Sequence, residues 1–434
     1  MGNHLIEFSF SNYRSFKNIN SLSLLASKMK AKNENVDFNN QINIDNNYSI
    51  LTSAAIYGAN ASGKSNLLRA ISIMRFLVIN STEEEVALDL LSNIIPHRLN
   101  SVTEKSPSFF QIVILIDGKR YRYGFETKEN KVITEWLFTV PNVRETPLFI
   151  REENKFQISR NFKEGKGLEE RTRENALFLS VVNQWNGPIS KQITNWFRNF
   201  RVISGLNDLG YKNFSEKNFA NGTFRDEMIR LIKKLDLGIL DIKSTYEYLE
   251  KDSSQSTMEI SEITQSKKNK QTENEKIGIQ TIHQKFDAQD QPVELVEFDL
   301  QKDESEGTKK LFYLSGPIID VISNGMILVV DEIEARLHPL ITLAIIQLFN
   351  SKETNPLGAQ LIFSTHDTNM LSNDYFRRDQ IWFVEKDQKG TSHLYSLADL
   401  RERNDLSLES NYINGRFGAI PFLKNDMKIV CDEP

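Results

Sequence analysis

Short uninterrupted apolar runs recur near both ends of the chain: "SAAIY" from Ser53, "MILVV" from Met326, "AQLIFST" from Ala359 and "DQIWFVEKD" from Asp379. Runs of this length suit strands buried on both faces of a sheet. "SNLLRAISIMRFLVI" from Ser65 and "PLITLAIIQLFNS" from Pro339 instead space their apolar residues at helical intervals. The alternation predicts an α/β sheet that draws strands from both ends of the chain, with a large insertion between them.

A second pattern has period two. "SFFQIVILIDGKRYRYGFET" from Ser108 holds Asp117-Gly118 between two alternating runs, a hairpin signal. The beginning of the chain, the region 109–160 and the region 277–302 read as β-rich. The middle reads as mostly helical, from "NALFLSVVNQWNGPISKQITNWFRNF" and "FRDEMIRLIKKLDLGIL". From Lys251 to Lys276 the chain is polar, lacks aromatic residues and balances lysines against acids, so it reads as a loose loop, the alternative being a loop that orders on a partner.

Composition narrows the class without naming a partner. The 434 residues are 39% hydrophobic and 26% charged, ordinary for a soluble protein. No apolar run approaches the ~18 residues that span a bilayer. The opening "MGNHLIEFSFSNYRSF" alternates charged and apolar residues too early to read as a secretory h-region, and Ile6 stands where a myristoylation signal needs Ser or Thr. A cytoplasmic protein without a membrane partner is expected. Cys431 is the one cysteine, so no internal disulfide or cysteine-rich metal site is available. The net charge of −5 gives no support to wholesale nucleic-acid binding.

The chemistry enters at "GANASGKS". Gly58, Gly63, Lys64 and Ser65 fit the spacing of a P-loop, and they lie where a strand-like run turns into a helix-like one. Glycine lets the backbone bend and bring its N–H groups directly to phosphate oxygens. A helix start adds favourable charge. Lys64 is expected to reach the β- and γ-phosphates and Ser65 to hold Mg²⁺. Asp331 follows "MILVV" and is read as the second metal-binding residue, with Glu332 as the general base. His366, after "AQLIFST", is placed to sense the γ-phosphate. No N-K-x-D stretch occurs, which favours ATP over GTP. Tyr13 and Phe16 are candidates to stack on adenine.

Taken in order, "GANASGKS", "DESEGTKK", "VVDEIEARLHP" and "FSTHDTNML" resemble the ABC-type ATPase heads of SMC proteins, RecF and the OLD nucleases. More closely the chain resembles the bacterial RloA and AbiL-type defence ATPases, relatives of the ATPase of PARIS systems. "FSNYRSF", "RTRENALFLSVVNQWN", "RRDQIWFVEKD" and "YINGRFGAIP" are similar to segments of that group. The resemblance implies an ABC-type P-loop ATPase head: a mixed sheet with flanking helices, an antiparallel β subdomain and a mainly helical insertion. Residues 1–165 would form the first part of the head, 166–276 the insertion and 277–434 the rest.

The resemblance also implies a site shared between protomers. Gly58, Ala59, Asn60, Ala61, Ser62, Gly63, Lys64, Ser65 and Asn66 would hold ATP, with Asn60 near the γ-phosphate and Arg14 reaching the nucleotide. Ser305 and Gly307, in "ESEGT", would contact ATP held by the other protomer, although one glycine replaces the usual pair and Lys309 the usual glutamine. Glu334 and His338 would cross the dimer interface, and Gln111 is the nearest candidate for a Q-loop. The implied function is a slow, partner-regulated ATPase that forms a homodimer, or higher homo-oligomer, on ATP. It would act as the sensor of an abortive-infection system with a separately encoded effector nuclease, triggered by DNA or a phage protein. The alternatives are a RecF- or SMC-like DNA-maintenance ATPase and a regulated binding module with negligible hydrolysis.

Overall fold

The four apolar runs become neighbours in one sheet. Among the described residues this sheet has six strands, in the order Phe200–Ser204, Ile327–Asp331, Gln360–Ser364, Ser53–Tyr57, Ile381–Lys386 and Ser392–Ser396. The first five are parallel and the last is antiparallel. The computed structural model describes residues 2–44, 48–140, 144–235, 238–248, 275–400 and 407–421. Cys431 and all but the last two residues of the polar stretch 251–276 lie outside them. Those two, Glu275 and Lys276, open a strand, Glu275–Phe286.

The chain divides into two units, Met1–Leu206 with Val321–Ala335 and Pro339–Pro434, and Asn207–Asp320 with Arg336–His338. The expected insertion, 166–276, overlaps the second unit only in part. Two observations explain the difference. Phe200–Ser204, inside the stretch read as helical, is a strand paired in register with Ile327–Asp331. The helix Phe178–Gln184 is bound to the first unit's other sheet at its N-terminus, where the backbone N–H groups of Phe178 and Leu179 donate to Glu135, at 2.6 and 3.0 Å.

That other sheet is antiparallel, in the order Lys155–Ile158, Thr146–Glu152, Lys131–Val140, Lys119–Lys128, Ser108–Ile116, His4–Ser11 and Asn20–Ser23. The hairpin predicted at Asp117-Gly118 forms, with Ile116 opposite Lys119 and both turn residues at positive φ. Its buried side is rich in phenylalanine: Phe8, Phe10, Phe110, Phe125 and Phe149 are all inaccessible to solvent. Glu135 and Arg151 are buried there too, 3.6 Å apart, and Tyr123 also donates to Glu135. The carboxylate therefore spends its lone pairs on a helix start, a phenol and a guanidinium, as a buried charge requires.

The second unit contains the helices Leu209–Ala220 and Arg225–Lys234 and a three-stranded antiparallel sheet of Asp241–Tyr248, Glu275–Phe286 and Pro292–Asp299. Within it Lys310 is buried and reaches Asp208 at 2.8 Å, and Arg336 reaches the same carboxylate at 3.0 Å.

Candidate active site

The helix Lys64–Asn80 begins directly at the end of the P-loop and buries Leu67, Leu68, Ile71, Met74, Leu77 and Val78. Its start is fixed by packing, and the loop is fixed from behind. A Cβ on Gly58 would lie 2.3 Å from the Val384 carbonyl oxygen, and one on Gly63 would lie 2.6 Å from Ser392 Oγ, with Gly63 at φ 121°. Neither position admits a side chain, so both glycines are needed here for close approach as well as for conformation. The Ser392 hydroxyl donates to the Ser62 carbonyl, and Asn66 Nδ2 donates to Ser15 Oγ at 2.9 Å.

One pocket collects the loop with three residues from elsewhere. It is lined by Asn60, Ala61, Ser62, Gly63, Lys64, Ser65, Asn66, Glu332, His366 and Lys386. Lys64 is 6% exposed and donates to the carbonyls of Gly58 and Ala59, at 2.7 and 3.2 Å. Burial lowers its ammonium to about 8, against the opposing pull of Glu332, Asp331 and Glu334. A nearly buried cation beside backbone N–H groups at a helix start suits an anion such as a polyphosphate.

Both acids stand at the end of one strand, Ile327–Asp331, which Gln360–Ser364 separates from the P-loop strand. Asp331 ends Ile327–Asp331, and Glu332 turns the chain at φ 55°. Ser364 Oγ donates to Asp331 Oδ1 at 2.6 Å and accepts the Glu332 N–H at 2.8 Å, so one hydroxyl holds the Asp331 carboxylate and the Glu332 backbone. Gly205 braces the turn from the other side. Its N–H donates to the Asp331 carbonyl at 2.6 Å, and a Cβ there would lie 1.8 Å from the Glu332 carbonyl oxygen. A positive φ at a non-glycine residue costs about 1–3 kcal/mol, and these contacts hold it in place.

A family model described as "AAA domain, putative AbiEii toxin, Type IV TA system" matches residues 53–372, from the first residue of the P-loop strand to beyond His366. The chain belongs to this family. The comparison with curated proteins gave no match. Solved structures similar to this AAA-domain chain include the SMC head domain from Thermotoga maritima, with 12% identity and a TM-score of 0.41, covering 91% of this chain and 98% of that one. Another is an Smc head bound to the C-winged helix domain of ScpA, with 14% identity and a TM-score of 0.45, covering 94% and 99%. A third is an Smc head with a coiled coil and joint from Pyrococcus yayanosii, with 12% identity and a TM-score of 0.43, covering 96% and 100%.

In this AAA domain His366 lies two residues beyond the strand Gln360–Ser364 and reaches the pocket from there. Its backbone N–H donates to Glu334 Oε1 at 2.6 Å. Partial burial, and then the charge of Lys64, lower the imidazole below its ordinary range, against Glu334, Glu332 and Asp331. The lowering favours the neutral imidazole, which carries one donor and one acceptor. No three His, Cys, Asp or Glu side chains among the described residues converge as a metal cage. Ser65 lines the pocket, and Asp331 directly precedes the pocket residue Glu332 without itself being among the pocket residues.

Other expected residues fall elsewhere. Tyr13 and Phe16 are 1% and 0% exposed, packed in the core, so neither offers a face to adenine. Arg14 Nε donates to Tyr13 Oη at 3.2 Å, and Arg14 is not among the pocket residues. Gln111 accepts from Arg122 at 2.9 Å within the antiparallel sheet. In the second unit Ser305 Oγ accepts the Thr308 N–H at 3.1 Å, capping the start of the helix Glu306–Asn324. Gly307 lies beside it, where a Cβ would come 3.1 Å from the Arg336 carbonyl. Gly205, Ser364 and Lys386 were not singled out from the sequence. For Ser364 a signal was present, since a hydroxyl ending a buried strand in "LIFST" has few places to point.

No described helix is long and apolar enough to cross a membrane.

Proposed function

We propose that this chain is an ATP-hydrolysing switch that closes as a head-to-head homodimer on ATP and opens on hydrolysis. The observation that carries the ATP-hydrolysing part of this reading is one pocket containing the P-loop, a nearly buried Lys64, Glu332 and His366, with the Asp331 carboxylate and the Glu332 backbone N–H held by the same Ser364; the dimer rests on the resemblance given above. Lys64 and the loop N–H groups bind the phosphates. Ser65 and Asp331 would hold Mg²⁺, which when bound would supply positive charge to the phosphates. Glu332 orients and deprotonates the attacking water, and neutral His366 donates toward the γ-phosphate. Ser305 and Gly307, at an exposed helix start, act on the partner protomer's ATP.

The role proposed for the switch is regulatory. The family description names a toxin of a type IV system, which supports a place in cellular defence. The chain would sense infection, through DNA or a phage protein, and release a separately encoded nuclease in the cytoplasm. Turnover would be slow until a partner completes the site.

Glu332→Gln tests both halves of the reading. The amide keeps the size of the side chain and cannot take a proton. The variant should bind ATP, lose hydrolysis and accumulate as an ATP-dependent dimer in sedimentation. Hydrolysis at the wild-type rate would remove Glu332 as the base. A monomer at saturating ATP would remove the dimer.

A further inference from the structure

Lys386 ends the strand Ile381–Lys386 and lines the same pocket as Asn60, Lys64 and Glu332. Its strand runs parallel to the P-loop strand and is hydrogen-bonded to it. The contact is tight, because the Val384 carbonyl occupies the space where a side chain on Gly58 would begin. Across the antiparallel pair Lys386 faces Ser392. That serine is tied to the P-loop through the Ser62 carbonyl, and its N–H donates to the Ser15 carbonyl at 2.7 Å. The strand end that presents Lys386 is thus fixed against the phosphate loop.

A lysine held this way ordinarily finds a carboxylate. Here the two adjacent acids are engaged elsewhere. Glu385 accepts from Tyr395 Oη at 3.4 Å. Asp387 accepts the N–H groups of Lys389 and Thr391, at 2.8 and 2.9 Å, and pairs with His393 at 3.2 Å. Among the described residues the Lys386 ammonium has neither an ion pair nor a hydrogen bond. An ammonium ion that lines a pocket beside a phosphate loop, with no partner among the described residues, is placed to take an anion.

Strand order indicates which part of the anion. Asp331, Glu332 and His366 come from strands on one side of the P-loop strand, and Lys386 comes from the other. We infer that Lys386 is a second phosphate-binding cation of the nucleotide site, gripping from the flank away from Glu332 a phosphate that ATP and ADP share. The assignment rests on the ATP-site reading above. A contact of this kind strengthens binding of both nucleotides, whereas a γ-phosphate contact would favour ATP alone.

The test is titration of the full chain with fluorescent N-methylanthraniloyl derivatives of ATP and ADP, comparing wild type with Lys386→Met, Lys386→Gln and Lys386→Arg. The two neutral variants should weaken both nucleotides by roughly tenfold or more, to a similar extent, and the arginine variant should retain most of the affinity. Having both neutral variants guards against one that folds poorly, which its melting temperature would reveal. Wild-type affinity for both nucleotides in the neutral variants overturns the assignment, as does a loss confined to ATP. If the wild type binds neither nucleotide, the ATP-site reading fails first and the Lys386 assignment falls with it.

Discussion

Replacing Gly205 with alanine places one methyl group against the turn at Glu332, the base in the proposed reaction. The new Cβ would lie 1.8 Å from the Glu332 carbonyl oxygen and 2.7 Å from that of Asp331. An ordinary contact begins near 3.4 Å, so the chain at Glu332 and the chain at 205 must separate by about 1.6 Å, the difference between 3.4 and 1.8 Å. The movement also pulls on the 2.6 Å hydrogen bond from Gly205 to the Asp331 carbonyl. Misplacing a catalytic group by ~1 Å costs on the order of a hundredfold in rate. Gly205→Ala should therefore lower ATP turnover by about two orders of magnitude, while nucleotide binding, which depends on the P-loop, survives. The strain should also remove about 1–3 kcal/mol of stability. Phosphate release under saturating ATP measures the first effect and thermal unfolding the second. Gly210→Ala is the control, since a Cβ there meets nothing within 4 Å. A folded Gly205→Ala variant with wild-type turnover would show that the turn tolerates the shift and that Glu332 needs no such placement.

Ser364→Ala removes the hydroxyl that donates to Asp331 and accepts from Glu332. Hydrolysis should fall about tenfold to a hundredfold with ATP binding retained, and more Mg²⁺ should be needed for half-maximal rate; an unchanged rate in a phosphate-release assay would remove Ser364 from the site. Lys64 gives a pH dependence whose sign follows from its lowered value, about 8. Below that pH the lysine is already charged, and above it binding an anion must recruit a proton. ATP affinity should therefore be level up to about pH 8 and fall by up to about tenfold per pH unit beyond it. Isothermal titration at pH 7.5 and 9.5 checks this, and equal affinities would mean that Lys64 stays charged throughout.

What the sequence carries locally, it carries well. The glycine spacing of the P-loop, the uninterrupted runs "SAAIY" and "AQLIFST" and the Asp117-Gly118 turn each encode their structure within a few residues, and each forms as read. The contacts that tune the site are of another kind. Gly205 meets Glu332, Ser392 meets Ser62, and Lys386 enters the pocket of Lys64, all across more than a hundred residues of chain. No periodicity marks such meetings, because they depend on strand order. The strand Phe200–Ser204 was missed for a related reason. It lies at the edge of the sheet and is only partly buried after Phe200, so it lacks the continuous apolar run of its neighbours. Tyr13 and Phe16 show the opposite error, where aromatic residues near a nucleotide motif proved to be core.

Phe200–Ser204 and Ile327–Asp331 are hydrogen-bonded neighbours, yet more than a hundred residues of chain separate them in sequence. From the standpoint of the sheet, everything between is a single loop whose ends are already pinned. Loop-closure entropy grows only logarithmically with length, so doubling such an excursion costs about 0.6 kcal/mol. This fold can therefore acquire or shed material between these two strands at little thermodynamic cost. An insertion or deletion at that junction should therefore leave the pairing of these two strands in place.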